Sequence, residues 1–230
     1  PERDRRWAEV EQTLDEAAEA APDSVEVVLL RAELLAARGR LDAAQTVLEQ
    51  ARDGQPDHVV LWTALAAAAE LRGKRQEALS ILDTAEDQLG DRVELRLARA
   101  AIWAARGSDS RATLVRLEQT LDQYPAEEQL ILLSGLASAH VRAGNSRDAE
   151  RLWSRLAERQ PSNLHLRMRL FDLALRNREE AQLKQVIAEM RRIEGDGGTQ
   201  WRYGEAARLL NEAQRGDSAK LAEARQYLSE

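Results

Sequence analysis

From Val25 to His58 the apolar positions follow a helical period twice, over Val25–Arg38 and again over Leu41–Arg52. Gly39 falls between the two runs, where a left-handed residue ends a helix. Pro56 stops the second run and opens the next connection. The pattern predicts two amphipathic helices joined by a tight turn. Ala32 and Ala44 are small enough to let the two helices approach closely, with Leu35, Leu48 and Ala51 filling around them.

The same arrangement returns 34 residues later. Trp62 opens the helix, Ala66, Ala69, Gly73, Ala78, Leu82 and Ala85 recur in place, and Gly90 stands where Pro56 stood. Ala100, Trp103, Gly107 and Ala112 mark a third unit, with Ala112 at the small inward position of Ala44 and Ala78. Three extra residues around Gln123-Tyr124-Pro125 then shift the register. Ala137, His140, Gly144, Ala149, Trp153, Leu156 and Pro161 form a fourth unit. Phe171, Ala174, Leu183, Ile187 and Met190 form a fifth, which ends at Gly195 and carries Arg178 where the turn glycine is expected. A single helix pair cannot bury its apolar face alone, so such units stack into a continuous core. Trp62, Trp103 and Trp153 are therefore read as packing residues.

A 34-residue helix–turn–helix period with a bulky residue early in the first helix, small residues at the crossover, a turn glycine and a closing proline resembles the tetratricopeptide repeat family. The segment from Val59, with Trp62, Leu65, Ala66, Gly73, Ala78, Leu82 and Ala85, matches that pattern nearly throughout. The resemblance implies an all-α fold, a right-handed α-solenoid of antiparallel helix pairs. Residues 1–24 read as the second helix of an incomplete repeat (Arg5–Ala21, closed by Pro22), residues 25–194 as five repeats, and residues 195–230 as a divergent helix pair. In that last pair Trp201, Tyr203, Ala207 and Leu210 precede Gly216 and a final helix. Gly195-Asp196-Gly197-Gly198 is expected to be a longer turn, with a hinge as the alternative. The chain opens on Pro1 and is read as a piece of something longer, cut from a larger array.

In this family the first helix of each pair lines a concave groove. The resemblance thus implies a partner-binding face made of Glu26, Leu29 and Glu33; Thr63, Ala67 and Glu70; Glu94, Leu97 and Ala101; Ser134, Ser138 and Arg142; and His165, Met168, Arg169, Asp172 and Arg176. Glutamates dominate early and arginines late, which points to a dipolar ligand or to an acidic peptide near the later units; the alternative is that these charges only solvate the surface. Repeats of this family that grip chaperone C-termini use lysine and asparagine at fixed groove places. Here those places hold Leu29, Glu33, Ala64 and Ala67, so that specificity is not expected. An asparagine-lined groove of the sugar-transferase kind is absent too.

Charge agrees with a protein partner. The formal net charge is −7, against nonspecific nucleic-acid binding, which needs clustered positive charge to displace counterions. Residues 1–115 hold 15 basic and 22 acidic side chains; residues 116–230 hold 18 of each; residues 142–192 hold 12 basic and 7 acidic, a local excess of five positive charges. No apolar run is long enough to cross a membrane, so no direct membrane insertion is expected. Soluble placement in a cytoplasm or a periplasm follows equally well.

The chemistry an enzyme needs is missing from the sequence. With no cysteine there is no disulfide, thiolate metal site or cysteine nucleophile. His58, His140 and His165 lie in different repeats and form no metal-binding spacing. His140 falls at a packing position, His58 in a loop and His165 on the groove side. No phosphate-cradling glycine loop or nucleophile elbow occurs. Glu127-Glu128 and Glu179-Glu180 are adjacent pairs suited to helix starts, where acids favour the dipole. The expected function is a protein–protein interaction scaffold holding a peptide or partner subunit, without catalysis, cofactor or metal. The alternatives are a structural spacer or self-assembly segment, forming homo-oligomers by end-to-end stacking, and an accessory part of an enzyme.

Overall fold

A computed structural model describes residues 2–214 and 219–229. Among them the regular structure is helical: α1 (Glu2–Ala20), α2 (Val25–Ala37), α3 (Leu41–Gly54), α4 (Val59–Leu71), α5 (Arg75–Leu89), α6 (Val93–Ala104), α7 (Arg111–Leu117), α8 (Ala126–Arg142), α9 (Ser146–Arg159), α10 (Leu164–Asn177), α11 (Glu180–Glu194), α12 (Gln200–Ala213) and α13 (Lys220–Ser229). Pro1 and Gly216, both singled out in the sequence, lie outside the described residues. The helices fall into two compact units, residues 1–117 and 118–230.

In the first unit the first two predicted pairs form, α2 with α3 and α4 with α5. Ser24 caps α2, its hydroxyl accepting from the Val27 N–H at 3.3 Å. Gly39, at φ +75°, ends α2: its N–H donates to Ala36 and that of Arg40 to Leu35. This double closure satisfies carbonyls that the helix end leaves open. Ala32, Leu35, Ala44 and Leu48 pack with Leu65 and Ala68, so α2 and α3 share one core with α4. Trp62, Ala66, Ala69, Ala78, Leu82 and Ala85 then pack with Leu95 and Ile102 of α6. Each pair is thus closed by the next, as stacking requires.

The third helix pair, also in the first unit, departs from expectation. Its second helix is reduced to a 3-10 turn, Gly107–Ser110, followed by the short α7. Ala112, expected inside, is exposed, while Ser110 and Leu114 are fully buried. The 3-10 turn advances about 120° per residue rather than 100°, which re-aims the following helix and brings Ser110 and Leu114, four apart, to the interior.

The second unit opens with Thr120, left-handed at φ +63°, and a 3-10 turn at Leu121–Gln123, where the sequence register slips. Helix pairs α8–α9 and α10–α11 follow. Ala137, Ala149, Trp153, Leu156, Phe171, Ala174, Leu183, Ile187 and Met190 are all buried. Arg178 completes the same double closure as Gly39 at φ +60°, its N–H donating to Leu175 and that of Glu179 to Ala174. The turn needs a left-handed residue and takes one without glycine, at a cost in strain. The glycine-rich segment 195–198 is a turn tied by many bonds: Glu194 accepts from the Gln200 and Trp201 N–H groups, and Arg191 pairs with Asp196 at 2.6 Å. Next to it α12 seats closely on its neighbours through the buried Gly204, where an added Cβ would meet Ile187 at 3.2 Å and Phe171 at 3.5 Å.

Candidate functional site: the first-helix faces

In the first unit α2, α4 and α6 are the first helices of their pairs. Along each, residues three and four apart share a face. Glu26, Glu33, Ala67 and Glu94 are exposed, and Leu29, Thr63, Glu70, Leu97 and Ala101 are half-buried. Their side chains have different roles. Leu29 leans into the core shared with Ala32 and Leu35. Glu70 is pinned by Arg75 at 2.8 Å, clipping the turn after α4. Glu26 accepts the Ser24 hydroxyl at 2.9 Å. Its carboxyl is held below the ordinary range, first by its own backbone N–H at the helix start and then by Ser24. Thr63 turns its hydroxyl back on the Val60 carbonyl at 3.0 Å.

In the second unit α8, α10 and α12 are the first helices. Ser134, Ser138, Arg142, His165, Arg169, Asp172 and Arg176 are exposed and Met168 is half-buried. Ser138 donates to the Ser134 carbonyl at 2.9 Å. Arg142, Arg169 and Arg176 stand apart from the many arginines tied into ion pairs: none has a carboxylate within bonding distance among the described residues. Asp172 lies between Arg169 and Arg176 in sequence and pairs with neither.

Exposed apolar side chains on these same helices were not among the sequence candidates. Val60 and Leu71 on α4, and Ile131 on α8, are 41%, 65% and 53% exposed. On α12 Tyr203 and Leu210 are 53% and 39% exposed. Tyr203 lies 34 residues after Arg169, and Leu210 lies 34 residues after Arg176. Sequence alone could not say that these two face out, because the neighbouring Trp201, Ala206 and Leu209 face in.

The histidines serve different ends. His140 is fully buried, and its Nε2–H donates to Glu118 at 2.9 Å. Glu118 also accepts from Arg151 at 2.7 Å, so the buried imidazole is part of a structural network. His58 precedes α4 and is exposed, and His165 is exposed on α10. Among the described residues no helix is long and apolar enough to cross a membrane.

Residues 3–69 match a family model described as tetratricopeptide repeat. Those residues, under a third of the chain, are similar to that repeat. Solved structures of similar fold include the C-terminal part of a tetratricopeptide-repeat protein from Cytophaga hutchinsonii, 12% identical, covering 98% of this chain and 90% of that one with a TM-score of 0.57. PilW, described as a widely conserved type IV pilus biogenesis factor, is 13% identical, covering 88% and 91%, with a TM-score of 0.53. Pseudomonas aeruginosa pilF is 14% identical, covering 92% and 90%, with a TM-score of 0.51. At these identities the likeness is one of fold. No curated protein sequence matches the chain. Tetratricopeptide repeats are in general non-catalytic modules for protein–protein interaction.

Proposed function

We propose that this protein is an interaction scaffold that holds a peptide or partner subunit on the first-helix faces of its tetratricopeptide repeats, and that the second unit prefers an acidic partner. The observation that carries the reading is the group of Arg142, Arg169 and Arg176, exposed on α8 and α10 without ion-pair partners among the described residues. Many other described arginines are ion-paired, Arg72 with Asp42, Arg99 with Asp83 and Glu86, Arg155 with Asp122, while Arg147, Arg178 and Arg192 are also exposed without such a partner. Charge left uncompensated on one face steers an oppositely charged partner and selects against like charge. The same helices carry no assembled nucleophile and base, so the reading includes no catalysis.

The test is capture of partners from the source cells by wild type and by a variant carrying Arg142→Glu, Arg169→Glu and Arg176→Glu. Three exposed substitutions leave the fold intact, checked by circular dichroism. Partners retained equally by both forms contradict the reading; partners lost with the charge reversal, and lost from wild type at high salt, support it.

A further inference from the structure

Arg169 and Arg176 are seven residues apart on α10, and Tyr203 and Leu210 are seven apart on α12. Each pair therefore forms a stripe two turns long, about 10 Å. The stripes stand at equivalent places in successive repeats, one 34-residue period apart. The buried Gly204 lets α12 come close to α10 and α11, and the Tyr203 ring meets Phe171 of α10 edge-on, with centroids 6.4 Å apart. A basic stripe thus adjoins an exposed apolar one. Neither is explained by the fold: the arginines have no carboxylate partner among the described residues, and Tyr203 and Leu210 leave half and over a third of their surface in water.

We propose that α10 and α12 form a two-part docking surface for an acidic segment that also carries one aromatic or large aliphatic residue. The apolar side chain seats against Tyr203 and Leu210, and the carboxylates meet Arg169 and Arg176. Packed helices lie about 8–10 Å apart, and an extended segment rises about 3.3 Å per residue. A segment crossing from one stripe to the other therefore places its apolar and acidic residues about three apart. Asp172, beside the arginines, tempers the basic stripe and sets a preference for a ligand with carboxylates at the arginines rather than for any polyanion. The inference rests on the acidic-partner reading above and goes beyond it in requiring the apolar residue.

Three labelled synthetic peptides test it by fluorescence anisotropy: an aspartate-rich peptide with a phenylalanine three residues from an aspartate, the same peptide with serine for phenylalanine, and the same peptide with asparagine for every aspartate. The first binds the wild-type chain, and the serine peptide binds about tenfold more weakly, the scale of burying one large apolar side chain. Leu210→Ser and Tyr203→Ser each bring the phenylalanine peptide toward the affinity of the serine peptide and leave the serine peptide unchanged. Tyr203→Phe, which keeps the ring against Phe171, binds as wild type does. Arg169→Gln with Arg176→Gln weakens both aspartate peptides. Equal binding of the phenylalanine and serine peptides overturns this inference and leaves the acidic-partner reading standing. Binding of the asparagine peptide alone, or of none of the three, overturns both.

Discussion

The indole N–H of Trp62 donates to the carbonyl of Pro56 at 2.7 Å, six residues back, while the guanidinium of Arg52 lies 4.6 Å above the ring. The fit recurs at the far end of the sequence. Trp201 donates to Gly195 at 3.0 Å, again six residues back, with Arg191 at 4.8 Å over its ring. In the fifth repeat Arg167 takes that place and reaches the Pro161 carbonyl at 3.3 Å. At these three places the early residue therefore fills the core and also latches the preceding turn. Trp62, 2% exposed, should lose about 3–5 kcal/mol of stability on replacement by Ala. Trp62→Phe keeps most of the volume and loses the latch, about 1 kcal/mol. Denaturant unfolding checks both, and no loss for Trp62→Phe would show that the bond contributes nothing.

Arg178 holds a left-handed turn that glycine adopts without strain. Arg178→Gly should raise stability by about 1 kcal/mol, since relief of a left-handed side chain is worth about 1–2 and the freer unfolded chain returns part of it. Thermal melts compare it with Gly39→Ala, which carries the opposite change at φ +75° and should lower the midpoint.

Glu118 links the fully buried His140 to Arg151. Glu118→Ala removes the acceptor of a buried N–H and should cost about 1–3 kcal/mol. A hydrophobic replacement of His140 alone would leave the Glu118 carboxylate with Arg151 and without its buried donor, so the double change His140→Leu with Glu118→Leu is expected to cost less than the sum of the two single changes. Additive losses in a double-mutant cycle would refute the coupling.

Arg208 is buried and bonded to Glu180, Glu205 and Glu212, which raises its pKa above the ordinary arginine value, with Glu205 the largest influence. Burial opposes ionisation of Glu180, but bonds from Arg208 and Lys184 outweigh it and hold the carboxyl below the usual range. A depressed folded pKa contributes stability above the unfolded value, about 4.3, that is lost as pH falls through the folded value. Arg208→Met should therefore be clearly less stable than wild type near neutral pH, with the gap narrowing below about pH 4. Urea unfolding across that range reads it directly. A gap that stays constant would mean that the carboxylates gain nothing from the arginine.

The repeat was legible because its signals are local and periodic. Ala32, Ala44, Ala66 and Ala78 mark the crossovers, Gly39, Gly73 and Gly144 the turns, and all four alanines are buried. What escaped depends on distant contacts or on backbone geometry. The loss of a full helix after Gly107 turns on a 3-10 segment and on a left-handed Thr120, and neither residue type announces it. The buried pairing of His140 joins residues 22 apart, outside any helical spacing. Of the candidate face, the structure shows that none of its residues is buried. Tyr203 and Leu210 were missed as surface residues because an aromatic and a leucine on an amphipathic helix read as core until the packing of Gly204 fixes which side faces in.

The most direct measurement places a photo-cross-linking residue at Ser138 or His165 on the first helices α8 and α10, and, as a control, at Lys184 on the second helix α11, in cells that make the protein. All three sites are exposed. A discrete partner adduct is expected from Ser138 and His165, lost when Arg169 and Arg176 are reversed to glutamate, and none from Lys184. An adduct formed at Lys184 and not at the other two would contradict it.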